Sequence, residues 1–386
     1  MNFLVAAESY PTALNPLAAF IGVLCRELVK QGHEVTVVAP QSLTSVLKYG
    51  YKLNPLYFTD DVCVKGEKKS IKVYSPYTIT WGYGRFSFIT NFFKSICFSY
   101  VARRLPIMDV CYAHFWNSGY MAIDFVQKRK IPLFVATGED TMYFHKSISK
   151  DELVRLSKYT KGVICVSTKN LNESVVNGYI VQEKCKVFPN SIDNAIFYCK
   201  DRVIARNKLN LNVNDFVVAY VGRFTHRKGV ARVSNAITKI GDKEIRSIFI
   251  GKTIEGENAE PDCDGIIFKG ALPHNAIPDF LNASDVFVLP SLAEGCSNSI
   301  VEAMACGLPI ISSDLEFNYD ILNNENSILI DPNNVEEISE AIIALKKNKI
   351  LRKSMSKASL RISSDLTISH RISDIVEFIK EKLSHR

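Results

Sequence analysis

Glu294 and Glu302 stand eight positions apart in EGCSNSIVEAMACGLP (294–309), where a loop of small residues runs into a helix-like segment. A carboxylate accepts hydrogen bonds from hydroxyls, and the opening turn of a helix offers unpaired N–H groups to anionic oxygen. A structural role fits too, because Ser299 and Glu302 have the spacing of a capping box. A second stretch, GRFTHRKG (222–229), sets Gly222, Arg223 and Lys228 around a turn that opens another helix-like segment. Two cations beside backbone N–H groups make a clamp for a diphosphate; the plain alternative is a solvated basic turn. This is not a Walker loop, since it lacks a second glycine before the lysine and a Ser or Thr after it. No G-x-G-x-x-G follows any strand-like run either.

Something must hold these loops in place. Short apolar runs closed by turn residues recur at 3–7, 34–40, 109–114, 133–138, 162–167 and 185–190, and again at 216–222, 247–251, 265–270, 286–291, 309–314 and 327–332. Their hydrophobicity is continuous rather than alternating, as in parallel strands covered by helices on both faces. Leu17, Phe20, Ile21, Leu24 and Leu28 follow helical spacing before a glycine stop in KQGHE, so the chain opens β-α-β. The pattern predicts an α/β fold of two doubly wound parallel-sheet domains, with a boundary near 195–213 where the sequence turns polar. Ligands of such sheets bind beyond the carboxyl ends of strands, and paired domains offer a cleft. Both stretches quoted above obey that rule, following FVVAYVG and VFVLPS.

Composition sets outer bounds. A chain of 386 residues favours two domains, and a mean hydropathy of +0.03 suits a soluble globular protein. No apolar run approaches the ~18–20 residues of a membrane span, and MNFLVAAESYP lacks a basic leader. Ten cysteines are scattered singly, without the spacing of a zinc site, which fits a reducing cytoplasm. A net charge of +7 without a dense Lys/Arg tract argues against a nucleic-acid partner and leaves anionic lipid or an anionic substrate.

GRFTHRKG together with FKGALPHNAIPDFLNASDVFVLPSLAEGCSNSIVEAMACGLPIISSD resembles the nucleotide-binding half of a GT-B glycosyltransferase, and most of all the retaining family 4 with its Glu-x7-Glu motif. YPTALNP, GHEVTVVAP and VFPNSID are similar to that family's opening β-α-β and to the end of its first domain. The resemblance implies two Rossmann-like domains facing across a cleft. Residues 1–198 would form the acceptor side, 199–364 the nucleotide-sugar side, and 365–386 a helix crossing back to the first domain. It implies that Arg223 and Lys228 grip the donor diphosphate and neutralise the departing nucleotide. Glu294 would contact the donor's sugar hydroxyls and Glu302 its ribose, with Gly222 and the backbone of Asn298 and Ser299 at the phosphates. The activity implied is transfer of a hexose or N-acetylhexosamine, with retention, from a UDP- or GDP-linked donor. The acceptor would be a glycan or a polyprenyl-diphosphate-linked hydroxyl in lipopolysaccharide O-antigen or capsule synthesis. No cofactor and no metal are expected, and the leaving phosphate oxygen would take the acceptor proton. On this reading, alanine at Lys228 should depress turnover far more than stability.

The first half departs from the pattern. Many relatives carry His where Thr137 stands, although Gly138 and Asp140 are kept; Glu139 and Asp140 are weaker candidates for a direct role. His114, ending a strand-like run, is placed to orient the reacting sugar or touch the acceptor; the ordinary alternative is a satisfied structural histidine. Pro16 suits a first helical position where relatives have a glycine pair. Asp262 and Asp264 have the Asp-x-Asp form of metal-dependent transferases, but they precede a strand in a polar run and read as solvated. In 81–106, Phe88, Phe92, Phe93, Ile96 and Tyr100 mark one helical face ending in Arg103 and Arg104, suited to a core or to an anionic membrane at the inner face. Two rivals share the architecture: a nucleotide-sugar epimerase, and a nucleotide-sugar-binding subunit without catalysis.

Overall fold

The computed structural model describes residues 1–12, 18–50, 52–81, 87–257 and 259–384; Pro16 and Leu17 lie outside them. The chain forms two compact units, 1–188 with 368–386, and 189–367. The first contains β1 (Asn2–Ala6), α1 (Ala19–Lys30), β2 (Glu34–Val38), β3 (Gln41–Ser42), α2 (Leu43–Tyr49), β4 (Tyr57–Val64), β5 (Glu67–Tyr74), β6 (Tyr77–Thr78) and α3 (Ser87–Ala102). It continues through β7 (Val110–His114), α4 (Trp116–Arg129), β8 (Leu133–Thr137), α5 (Lys150–Tyr159), β9 (Thr160–Cys165), α6 (Thr168–Val176) and β10 (Cys185–Val187). The second contains α7 (Arg202–Lys208), β11 (Phe216–Val221), α8 (Val230–Ile240), β12 (Ile245–Ile250), β13 (Ile266–Gly270), α9 (Ile277–Ala283), β14 (Val286–Leu289), α10 (Asn298–Ala305), β15 (Ile310–Ser313), β16 (Ser327–Ile330), α11 (Val335–Lys347) and α12 (Lys349–Ser364). A last helix, α13 (Ile368–Ser384), belongs to the first unit.

Every apolar run named above overlaps a strand, and the sheets explain the continuous hydrophobicity. In the order β10-β9-β8-β7-β1-β2-β5-β4, each central strand is covered twice. Phe3 and Val5 of β1 join a core with Ile21, Leu24, Ile372 and Phe378, whereas Leu4 and Ala6 join one with Phe98, Trp116 and Ala122. The second sheet, β13-β12-β11-β14-β15-β16, is parallel throughout. In each sheet the order reverses beside its first strand, between β1 and β7 and between β11 and β14, which is where ligands of doubly wound sheets bind.

The antiparallel hairpin β4–β5 has no counterpart among the expected strands. It lies at the sheet edge with only Val62, Ile71 and Val73 of its apolar side chains buried, so alternation replaces a continuous run. Its turn, Lys65-Gly66, has positive φ at both residues (50° and 85°), the conformation tight hairpins prefer.

The division between units falls after Phe188, earlier than the polar stretch suggests. Phe188 stays with the first unit because its carbonyl accepts from Arg371 Nε (3.3 Å) and its ring packs 5.6 Å from that of Phe378. Ile192 instead donates to the Leu366 carbonyl (2.8 Å) and bridges to Thr367, closing the second unit on itself. Helix α13 inserts Ile372, Ile375, Val376, Phe378 and Ile379 into the first core. Replacing Phe378, which is 2% exposed, by Ala should lower unfolding free energy by about 3–5 kcal/mol in a urea titration.

Candidate functional site

The loops after β11 and β14 are laced together. Gly222 continues β11, its N–H donating to Ile250 O (2.9 Å). A Cβ on Gly251 would sit 1.9 Å from the Gly222 carbonyl, so the end of β12 must be glycine for this turn to form. Gly229 caps α8 at φ 77°, and a Cβ there would meet Pro290 O at 2.6 Å. From the other side, Leu292 N donates to Arg227 O (2.8 Å), Arg232 Nη2 to Pro290 O (2.8 Å) and Arg227 Nη1 to Ala293 O (2.5 Å).

This packing brings Lys228 Nζ onto Glu294 Oε1 in an ion pair, with Arg227 Nη1 4.0 Å from the other oxygen. Glu294 is 5% exposed. Arg227 did not stand out in the sequence, although its place before Lys228 on a tight turn was the available signal. Arg223 is exposed and has no ion pair among the described residues, while its carbonyl accepts from Tyr220 Oη (2.9 Å).

The capping box that the spacing of Ser299 and Glu302 allowed as the structural alternative is absent. The N-cap of α10 is Ser297, whose side chain makes no cap hydrogen bond; its hydroxyl lies 3.2 Å from that of Ser299. Starting two residues earlier puts Glu302 beyond the reach of a capping role. By contrast, side chains of Ser42, Ser149, Ser167, Asp201, Asn334 and Asn348 do cap their helices. The N–H groups at exposed Asn298 and half-buried Ser299 thus keep the positive end of α10 uncovered by a side-chain cap. Glu302 turns instead to His274 Nε2, 2.8 Å away, and this contact, first among the causes, raises the imidazole pKa. Sequence reading missed His274, which sits just past β13 where strand-end residues were to be sought.

His114 lies in the first unit at the end of β7. Its ring packs 4.5 Å from Phe20 and 4.3 Å from Phe115, and its buried Nδ1 has no hydrogen-bond partner among the described residues. Burial, aided by the charge of Arg371, lowers its pKa to about 3, so the imidazole is neutral at physiological pH. This differs from a satisfied structural histidine. Next to it Phe115 adopts φ 72°, ψ 159°, a region almost confined to glycine, and is held there by its N–H bond to Ala136 O (2.8 Å). Thr137 is buried, and burial pushes Glu139 up to about 7. The Asp140 carbonyl accepts from Lys169 Nζ (2.5 Å). Asp262 and Asp264 are exposed, and no cluster among the described residues has the ligands for a metal.

Two doubly wound units, each with its candidate residues at the switch point, define a GT-B fold. HepE from Anabaena, solved in complex with UDP, matches it with a TM-score of 0.72 at 17% identity over 99% of this chain and 100% of its own. Residues 201–361 match the family described as glycosyl transferases group 1, so the second unit carries that domain. The putative teichuronic acid biosynthesis glycosyltransferase TuaC of Bacillus subtilis is 26% identical over 360 residues, 91% of this chain and 90% of its own. An Escherichia coli protein, UDP-Gal:alpha-D-GlcNAc-diphosphoundecaprenol alpha-1,3-galactosyltransferase, is 28% identical over 231 residues, 57% of this chain and 60% of its own.

The buried pair corrects one expectation. Alanine at Lys228 removes the nearest cation from a carboxylate that is almost out of water, so it should cost about 3 kcal/mol of stability as well as turnover. Adding Glu294→Gln to Lys228→Ala should recover part of that loss in a thermal melt; equal melting of wild type and Lys228→Ala would contradict the pairing.

Proposed function

We propose that this protein is a retaining glycosyltransferase that moves a hexose or N-acetylhexosamine from a UDP- or GDP-linked donor to an acceptor hydroxyl. The observation that carries the reading is the Lys228–Glu294 pair beside exposed Arg223 and the uncapped start of α10. An ammonium has three donors, so Lys228 holds Glu294 with one and keeps others for a phosphate oxygen. Arg223 and Lys228 then stabilise charge that grows on the leaving diphosphate, and stabilisation specific to the transition state is what lowers a barrier. Glu294 presents its remaining lone pairs to sugar hydroxyls, Glu302 to the ribose, and Gly222, Asn298 and Ser299 line the phosphates. Neutral His114 suits a hydroxyl, since one ring nitrogen donates and the other accepts. No step of this chemistry calls for a cofactor or a metal ion.

The acceptor is proposed to be a glycan or a polyprenyl-diphosphate-linked sugar of a surface polysaccharide. The names of TuaC and of the Escherichia coli relative support this. So does α3, where Phe88, Phe92, Ile96 and Tyr100 are 62%, 59%, 48% and 62% exposed in one stripe. Of the face marked in the sequence these four point outward and Phe93 is half-buried, while Phe98 on the opposite side fills the core. Residues 68–108 contain no Asp or Glu, and an open cavity of about 930 Å³ past the helix end is lined by Arg129, Lys130, Lys161 and Lys382 against one acid, Asp109. Aromatic stripe and cations together suit an anionic bilayer surface. Among the described residues no helix is long and apolar enough to cross one.

Incubation with UDP- and GDP-sugars and a lipid-linked acceptor pool should yield a glycosylated lipid, and Arg223→Ala should lower kcat/KM by a factor of ten or more. A changed sugar with donor alone would instead identify an epimerase. Tight donor binding without turnover on any acceptor would identify a binding subunit. The chain should also co-sediment with phosphatidylglycerol vesicles rather than phosphatidylcholine ones, and Phe88→Ser with Phe92→Ser should abolish this without shifting the melting temperature.

A further inference from the structure

Glu302 is assigned to the ribose, yet a carboxylate on a helix swings through several rotamers, and only one aims at a given hydroxyl. The structure supplies what restrains it. His274 lies in the turn between β13 and α9, and its Nε2 meets Glu302 Oε1 at 2.8 Å. The imidazole is itself braced, its ring packing 4.9 Å from that of Phe197, which is 1% exposed. Exposure is lopsided, with the His274 side chain 60% exposed and that of Glu302 12%. The contact therefore engages one carboxylate oxygen from the solvent side and leaves the second to accept from another partner.

We infer that His274 is a positioning residue for the nucleotide donor, holding Glu302 in the rotamer that receives the ribose hydroxyls. The inference rests on the donor reading above and adds to it a residue that never touches the reacting atoms. Charge strengthens the brace. Glu302 on α10 and Asp193 on the segment leading to α7 both favour the imidazolium, whereas Asp279 on α9 is occupied by Lys200 and Lys208. With the imidazole pKa raised, the brace is charged, and strongest, below that pKa and weakens as pH rises through it.

The test is nucleotide affinity, measured by calorimetry on the full chain with UDP, GDP and the 2′,3′-dideoxy analogue of whichever binds more tightly. His274→Ala should weaken the ribonucleotide about five- to tenfold and leave the dideoxy analogue unchanged. His274→Gln, which keeps a donor without a charge, should restore most of the affinity. The ratio of wild-type to His274→Gln affinity cancels the ligand's own ionisation and should fall towards one at alkaline pH. Equal ribonucleotide binding by wild type and His274→Ala overturns the inference, as does an equal loss on the dideoxy analogue, which would mark a merely structural effect. Failure of wild type to bind either ribonucleotide overturns the donor reading, and the inference with it.

Discussion

A carboxylate removed from water must be met by a cation or give up its charge, and Glu294, like Asp285, faces that demand in the second unit. Its partner Lys228 comes from a different strand-to-helix loop, so the pair forms only if two loops, separated by three strands' worth of sequence, close on each other. Much in the second unit follows from that requirement. Gly229 has no side chain because Pro290 needs its space, Gly251 has none because Gly222 presses on it, and Arg227 and Arg232 tie the two loops through backbone carbonyls. The pair stands between β11 and β14, where the sheet order reverses and the helices on either side diverge.

On the proposed reading, such an arrangement reconciles two tasks that usually conflict. A lysine dedicated to a phosphate would be an unpaired buried cation whenever no phosphate is present. Set against Glu294, it is neutralised at all times and still has protons to offer. Glu302 is treated similarly, with His274 standing against it at the surface. The first unit carries a cost of another kind: Phe115 holds a backbone conformation worth about 1–3 kcal/mol of strain, and the strand end that it distorts is the one bearing His114.

Much of this was legible in the sequence because parallel strands buried on both faces leave an uninterrupted apolar signature, and the strand-end rule then pointed to the loops at 222 and 290. GRFTHRKG and EGCSNSIVE both obey that rule. The hairpin β4–β5 lacks the signature, since its half-exposed strands alternate and carry lysines. The capping-box alternative at Ser299 is not realised because spacing alone does not say where a helix begins; the chain starts α10 at Asn298 and frees Glu302 for His274. That contact joins residues 28 apart and exists only once β13 and β14 lie in one sheet. His114 was noticed, but its buried, unpartnered nitrogen depends on Phe20 and Phe115 closing over it, which no local pattern encodes.

Because α13 packs into the unit that opens the chain, the whole of the other unit lies between the two parts of the first in sequence. The ribosome therefore adds 189–367 before it makes the helix that covers the sheet of β1 to β10. Until α13 is made, the first unit exposes the apolar groove meant for Ile372, Ile375 and Phe378. In a nascent chain that groove is the surface a chaperone would have to shield, and a premature stop near 367 should leave a folded C-terminal half attached to an aggregation-prone N-terminal one.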